Sequence, residues 1–235
     1  MIPLRDARPP SRTPVVTLSL IAVCCAFFLW ELVTEVQGGQ AALEDLVRTY
    51  GATPADLVAW ITGAPAPSDA NSAQPLLGLF TSMFLHGGWL HLLGNMLYLW
   101  IFGNNVEDRL GRLWYPLLYV VGGVAAVAAH TLVEPTSTLP LVGASGAISA
   151  VLGAYLVLFP RARIQSLVFL GFFYQLIAVP AVIVLVFWFV LQLIDGIAAL
   201  GVSAASGGVA VWAHIGGFVV GAVLALPFRL RRSVE

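Results

Sequence analysis

The stretch Leu141-Val142-Gly143-Ala144-Ser145-Gly146-Ala147 sets a serine between glycines where a proline-containing loop, 134–140, turns into an apolar helix. A helix N-terminus offers unpaired backbone N–H groups and the positive end of the helix dipole. The flanking glycines leave the backbone open to close approach by another chain. That setting suits a nucleophile that develops an oxyanion beside itself. Three more side chains fit the same chemistry. His214 could take the serine proton as a neutral imidazole, and His91 and Asn95, at i and i+4 on one helix face, could supply two hydrogen-bond donors. Asp195 is the one acid that could stand third, although a lone acid near a helix end is more often solvated; the residues read as a Ser-His dyad.

Composition sets the solvent in which such a site would work. Of 235 residues, 59% are hydrophobic and 10% charged, against about a quarter charged in ordinary soluble domains, and the mean hydropathy is +0.91. The chain therefore reads as a polytopic membrane protein. A net charge of -1 gives no surface for nucleic acid. Cys24 and Cys25 are adjacent in an apolar run and read as packing residues. No zinc-ligand spacing or phosphate loop occurs, so neither a metal nor a cofactor is expected.

Apolar runs long enough to cross a bilayer, with turn residues between them, predict six spans: Val15 to Val33, Trp89 to Gly103, Leu113 to Val133, Ser145 to Pro160, Pro180 to Leu200, and from after the loop 201–208 to Phe228. Residues 1–13 read as a cytoplasmic tail, 14–228 as the membrane domain with a long outer first loop over about 37–88, and 229–235 as a short cytoplasmic tail. Pro75 to Leu85 is apolar but too short to span, and 164–179 reads as lying partly along the membrane surface. All eleven basic residues are arginine. With both termini inside, every arginine except Arg48 falls on the cytoplasmic side, as the positive-inside rule requires.

This topology brings the polar residues to one depth. Spans two, four and six run from outside to inside, and their first turns carry His91 and Asn95, Ser145, and His214. Polar groups in a membrane span are costly and line cavities or pathways. Small residues at spacing four, Gly146-Ala150-Ala154 and Ala213-Gly217-Gly221, let spans four and six approach at backbone distance. His130, near the outer end of span three, reads as a satisfied core histidine.

From Leu79 to Gly221 the sequence resembles the rhomboid family of intramembrane serine proteases. The resemblance rests on His86-Gly87-Gly88-Trp89-Leu90-His91-Leu92-Leu93-Gly94-Asn95, on Val106-Glu107-Asp108-Arg109-Leu110-Gly111, on Gly143-Ala144-Ser145-Gly146, and on Ala213-His214-Ile215-Gly216-Gly217-Phe218-Val219-Val220-Gly221. It implies an all-α, six-helix bundle with both termini cytoplasmic, Ser145 as nucleophile, and His214 as base. It further implies that His91, Asn95 and the Ser145 N–H form an oxyanion hole, that His86 ties down the first loop, and that Glu107 and Arg109 staple the cytoplasmic turn. The implied activity is endopeptidase cleavage of membrane-anchored proteins near the outer face of what would be a bacterial inner membrane. The implied partners are transmembrane substrates and the bilayer; no pattern assigns an oligomeric state. The rival reading is a catalytically silent relative that binds transmembrane helices; such relatives typically lack the serine or the histidine, and this chain has both.

Two departures stand out. The family's Trp-Arg pair in the first loop aligns with Leu77 and Gly78, so that loop must be anchored differently. One turn after the serine, where the family often carries an aromatic ring stacked on the catalytic histidine, this chain has Ser149.

Overall fold

The computed structural model describes residues 2–65, 75–170, 173–199 and 210–230. The chain is mostly helical: α1 (Val15–Tyr50), α2 (Pro54–Thr62), α3 (Pro75–Thr81), α4 (Trp89–Tyr98), α5 (Asn104–Val133), α6 (Ser145–Leu158), α7 (Ala181–Ala199) and α8 (Val211–Leu230). Among the described residues, three helical stretches are long and apolar enough to cross a membrane: Val15–Tyr50, Trp89–Val133 and Val211–Arg229. Two shorter apolar helices, Ser145–Leu158 and Ala181–Ile194, accompany them. Asp69, the loop 201–208, and the arginines at 231 and 232 lie outside the described residues.

Several boundaries differ from the sequence expectation. Helix α1 runs on past Val33 into the expected outer loop, with a break at Gly39 (φ 72°). Helix α4 passes through a π-helical turn, Leu99–Gly103, straight into α5. Within α5 the break is at Gly111, whose φ of 79° is open to glycine at little cost. At that one residue an otherwise continuous helical stretch kinks.

The expectation of an all-α fold omitted a sheet. Strands β1 (Ile2–Asp6), β2 (Arg163–Leu170) and β3 (Phe173–Pro180) form an antiparallel sheet in the order β1-β2-β3. Pairings include Ile2 with Leu167 and Asp6 with Ile164 in one ladder, and Arg163 with Pro180 and Leu167 with Leu176 in the other. The expected N-terminal tail is thus partly an edge strand. Strand β3 leaves Phe173, Tyr174 and Leu176 largely exposed, an apolar edge suited to the surface of a bilayer.

Helix α6 forms the centre. Every residue from Gly146 to Tyr155 is buried, and α6 packs on α8 and α5. The approach to α8 is at backbone distance. A β-carbon on Gly217 would lie 2.2 Å from the Gly146 carbonyl oxygen, and one on Gly221 would lie 2.0 Å from that of Ala150. From the other side, a β-carbon on Gly153 would lie 2.0 Å from the Phe218 carbonyl oxygen. In lipid, where apolar burial against other chains gains little, such close packing is what holds helices together.

Gly217→Val must therefore push α6 and α8 apart. Overpacking of this kind costs about 1–3 kcal/mol, so the midpoint of thermal unfolding in detergent should fall clearly below that of the parent. Gly94 has open space where its β-carbon would be, and Gly94→Ala should leave the midpoint unchanged. Equal midpoints for both variants would show that the small-residue stripe is not the contact.

Candidate functional site

Ser145 is the first residue of α6. The loop before it is held from two sides: Leu141 pairs with Ala52 through backbone bonds of 2.9 and 3.0 Å, and Gly143 N–H donates to the Ser82 carbonyl at 2.8 Å. Gly143 has φ 125°, and a β-carbon there would strike the His91 ring at 2.7 Å. Both the backbone conformation and the packing require glycine at this position.

His214 stands in the first turn of α8, 8% exposed. Its Nε2 lies 2.8 Å from Ser145 Oγ. Its Nδ1 lies 2.6 Å from the side-chain oxygen of Gln192 on α7. The Trp188 ring faces the imidazole at a centroid distance of 5.9 Å and an interplanar angle of 39°. The Ser149 hydroxyl donates back to the Ser145 carbonyl at 2.6 Å. The sequence reading missed Gln192 and Trp188. The available signal was a polar residue in an apolar helix, with a tryptophan four positions before it on the same face.

His91 Nδ1 accepts the Gly87 backbone N–H at 3.2 Å. A backbone N–H can only donate, so Nδ1 is the bare nitrogen and Nε2 carries the proton. The site that a Gly143 β-carbon would occupy is 2.7 Å from His91 Nε2 and 3.5 Å from Ser145 Oγ, so the two groups flank one small volume. One turn along α4, Asn95 is 7% exposed and its Nδ2 has no partner among the described residues. An unpaired buried donor costs about 1–3 kcal/mol, and Asn95 shares this state with His86 Nε2, Asn104 Oδ1, His130 Nδ1, Thr131 Oγ1 and Trp212 Nε1.

The supporting residues act over longer range than expected. Glu107 reaches α1 and caps its bare N-terminus, accepting from Val16 N at 2.9 Å and from Thr17 N and Oγ1 at 2.7 and 2.8 Å. Arg109 donates to the Phe228 carbonyl near the end of α8 at 3.0 Å. The pair thus ties the turn to the first and last helices rather than stapling only the turn. The first loop is anchored without a Trp-Arg pair. His86 N–H donates to the Glu31 carboxylate of α1 at 3.1 Å, His86 Nδ1 donates to the Phe84 carbonyl at 3.1 Å, and Gly78 packs directly on the Gly51 backbone. His130 is buried 3.9 Å from Glu134, with its Nδ1 unpaired among the described residues. Asp195 falls within α7, but its side chain is outside the described residues.

These features define an integral membrane protein in which a half-buried serine and a buried histidine meet at the ends of two packed helices. A model of the rhomboid domain matches residues 73–231, and the chain belongs to the rhomboid family. It is similar to Rhomboid protease GluP of Bacillus subtilis (strain 168), with 32% identity over 91% of this chain and 36% of that protein. It is also similar to Presenilin-associated rhomboid-like protein A, mitochondrial, of Danio rerio, with 34% identity over 46% of this chain and 27% of that one. RHOMBOID-like protein 5 of Arabidopsis thaliana is 37% identical over 33% of this chain and 25% of its own length. The chain thus spans about a quarter to a half of the length of the curated relatives it matches.

His86, in the loop ahead of α4, gives the site's surroundings a pH dependence. Burial, aided by the nearby His91 ring, pushes its imidazole down from 6.5 to about 4. The folded protein keeps it neutral while the unfolded chain takes up a proton below about 6.5, so stability is present above that pH and is lost as pH falls towards 4. Thermal midpoints in detergent should decline across this window, and His86→Gln should make the decline shallower. Parallel slopes for the two proteins would remove His86 from the account.

Proposed function

We propose that this chain is a six-span intramembrane serine endopeptidase that cleaves membrane-anchored proteins near the outer face. The observation that carries the reading is the 2.8 Å contact between Ser145 Oγ and His214 Nε2. In the proposed reaction, His214 Nε2 takes the Ser145 proton as Oγ attacks the scissile carbonyl carbon. The oxyanion receives hydrogen bonds from the Ser145 N–H, His91 Nε2–H and Asn95 Nδ2–H. The imidazolium then protonates the departing amine, and water, activated by the same histidine, hydrolyses the acyl-enzyme. The presence of both reacting groups in contact argues against a silent helix-binding role.

The six crossings are taken as α1 before Gly39, α4 with its π-turn, α5 after Gly111, α6, α7 and α8. The orientation, with both termini cytoplasmic, is supported by the arginines: Arg8, Arg161, Arg163 and Arg229 line one cleft of about 690 Å³ at the end of the bundle away from Ser145. Helix α6 has 14 residues, about 21 Å at 1.5 Å per residue, less than the roughly 30 Å of hydrocarbon. A nucleophile at its N-terminus then lies below the outer surface, within reach of both water and a membrane-held substrate. A substrate helix weakened by Gly or Pro presents an extended bond there more easily. Location in a bacterial inner membrane is part of the proposal, and the alignment with the Bacillus subtilis protein along most of the chain is compatible with it.

Turnover of single-span substrates in one detergent tests these roles. Ser145→Ala and His214→Ala should each abolish cleavage, and the double variant should be no worse, because the two act as a unit. Asn95→Ala removes one donor of several and should lose about 100- to 1000-fold while keeping measurable activity. Asp195→Asn should stay close to wild type. A folded Ser145→Ala protein that still cleaves would end the proposal, and a folded Asp195→Asn protein as inactive as His214→Ala would add a catalytic acid to it.

A further inference from the structure

We infer that Gln192 is a positioning residue for His214: its amide oxygen accepts a hydrogen bond from Nδ1–H and so leaves the Nε2 lone pair facing Ser145, while Trp188 holds the plane of the ring. The inference rests on the endopeptidase reading for its kinetic consequence, but not for the contact itself. A neutral imidazole has one N–H and one bare nitrogen, and the partner of one fixes the role of the other. A base for Ser145 needs the lone pair on Nε2, so the proton must sit on Nδ1. Gln192 Oε1, 2.6 Å from Nδ1, is an acceptor placed to hold it there.

The second support comes from the same face of α7. Trp188 and Gln192 are four residues apart and project together. Trp188 faces the His214 ring at 5.9 Å and the Phe218 ring at 6.0 Å, so it is wedged against two successive turns of α8. Helix α6 offers no such support, because Ser149 is turned back onto the Ser145 carbonyl. A glutamine inside an otherwise apolar helix is costly unless it is hydrogen-bonded, and its described partner is this imidazole. When His214 takes up the serine proton, the Nδ1–H···Oε1 bond becomes charge-assisted and strengthens. No charge needs to be buried in the resting state to obtain this.

Two measurements on the full chain in detergent test the inference. The first compares kcat and KM on a single-span substrate for the wild type, Gln192→Met and Gln192→Glu. Methionine keeps the length of the side chain and removes the acceptor; glutamate keeps the acceptor. The expected result for Gln192→Met is a kcat lower by roughly 10- to 100-fold, part of the 100- to 10,000-fold that positioned proton transfer supplies, with KM unchanged. Gln192→Glu should restore kcat to within a few-fold of wild type. The second measurement is the ¹⁵N spectrum of histidine-labelled protein, with the His214 signals identified by their loss in His214→Ala. The wild type should show the proton on Nδ1, and Gln192→Met should show both tautomers. Wild-type kcat in Gln192→Met, or an unchanged tautomer in a variant that has lost activity, would overturn the assignment, as would a wild-type His214 protonated on Nε2. If the wild type cleaves nothing while its Nδ1 proton depends on Gln192, the endopeptidase reading fails and the contact stands. The wild-type spectrum keeps the test decisive even if Gln192→Met does not fold.

Discussion

The approach of α6 to α8 at backbone distance is the constraint on which the rest depends. Ser145 and His214 occupy the first turns of these helices, 69 residues apart in sequence. A serine hydroxyl and an imidazole are short side chains, so they touch only if their helix axes are close. Gly146 against Gly217, directly below the contact, and Ala150 against Gly221, one turn further on, set that separation. Any side chain larger than hydrogen at Gly217 or Gly221 meets a carbonyl oxygen, which cannot rotate away. Gly122, packed on Ala150, and Gly216, packed on Ala129, bring α5 in as closely. The three helices thus pack as one wedge, with the Ser-His contact at the end where α6 and α8 begin.

Around that wedge, the polar groups sort by location. At the end away from Ser145, Glu107 caps α1, Asn105 donates to Asp6 at 2.7 Å, Tyr155 hydrogen-bonds Asp6, and Ser11 bonds Asp108. These bonds fasten the N-terminal strand and α1 to the helices that carry the reacting groups. At the Ser145 end, Glu31 and Ser82 do the same for the first loop and the loop before Ser145. Most of these buried groups have fixed partners, as an apolar surrounding demands. Asn95 Nδ2 on α4 is one of several buried polar atoms without a partner among the described residues. In the proposed reaction this donor would gain its acceptor as the oxyanion forms, a case of differential binding of the transition state.

The helices and the site were legible in the sequence to different degrees. Chemistry-bearing residues stood out because each is a polar exception in an apolar run, and the small-residue stripes at spacing four indicated which helices could meet. The sheet was not legible. Its β1–β2 ladder joins Ile2 to Leu167, a pairing no local pattern announces. Strand β3 is apolar on both faces, so it lacks the alternation by which a half-buried strand is recognised. Helix α4 runs unbroken into α5 because a π-turn leaves no gap in the hydrogen bonding, whereas the sequence reading ended the second span at Gly103, before the polar residues that begin at Asn104. Gln192 was missed because attention went to Asp195 as an acid, when the group facing Nδ1 is a neutral amide on the same helix.

That amide suits the solvent. In water-accessible sites, a carboxylate behind the histidine both orients the ring and stabilises the imidazolium. Buried in an apolar bundle, an ionised carboxylate loses several kcal/mol of hydration, and a histidine beside it recovers this only with good geometry. A glutamine oxygen orients the ring through the same Nδ1 proton while burying only a dipole. On the other side of the reacting volume, the donors are likewise neutral: a backbone N–H, the Nε2–H of His91 and the amide of Asn95. Every group in contact with the proposed reaction is therefore uncharged at rest. Charge appears only as the serine proton moves, when oxyanion and imidazolium form together a few ångströms apart. In a low-dielectric surrounding that pair attracts strongly, and in the proposed reaction the neutral donors on one side and the Gln192 amide on the other would stabilise its two ends.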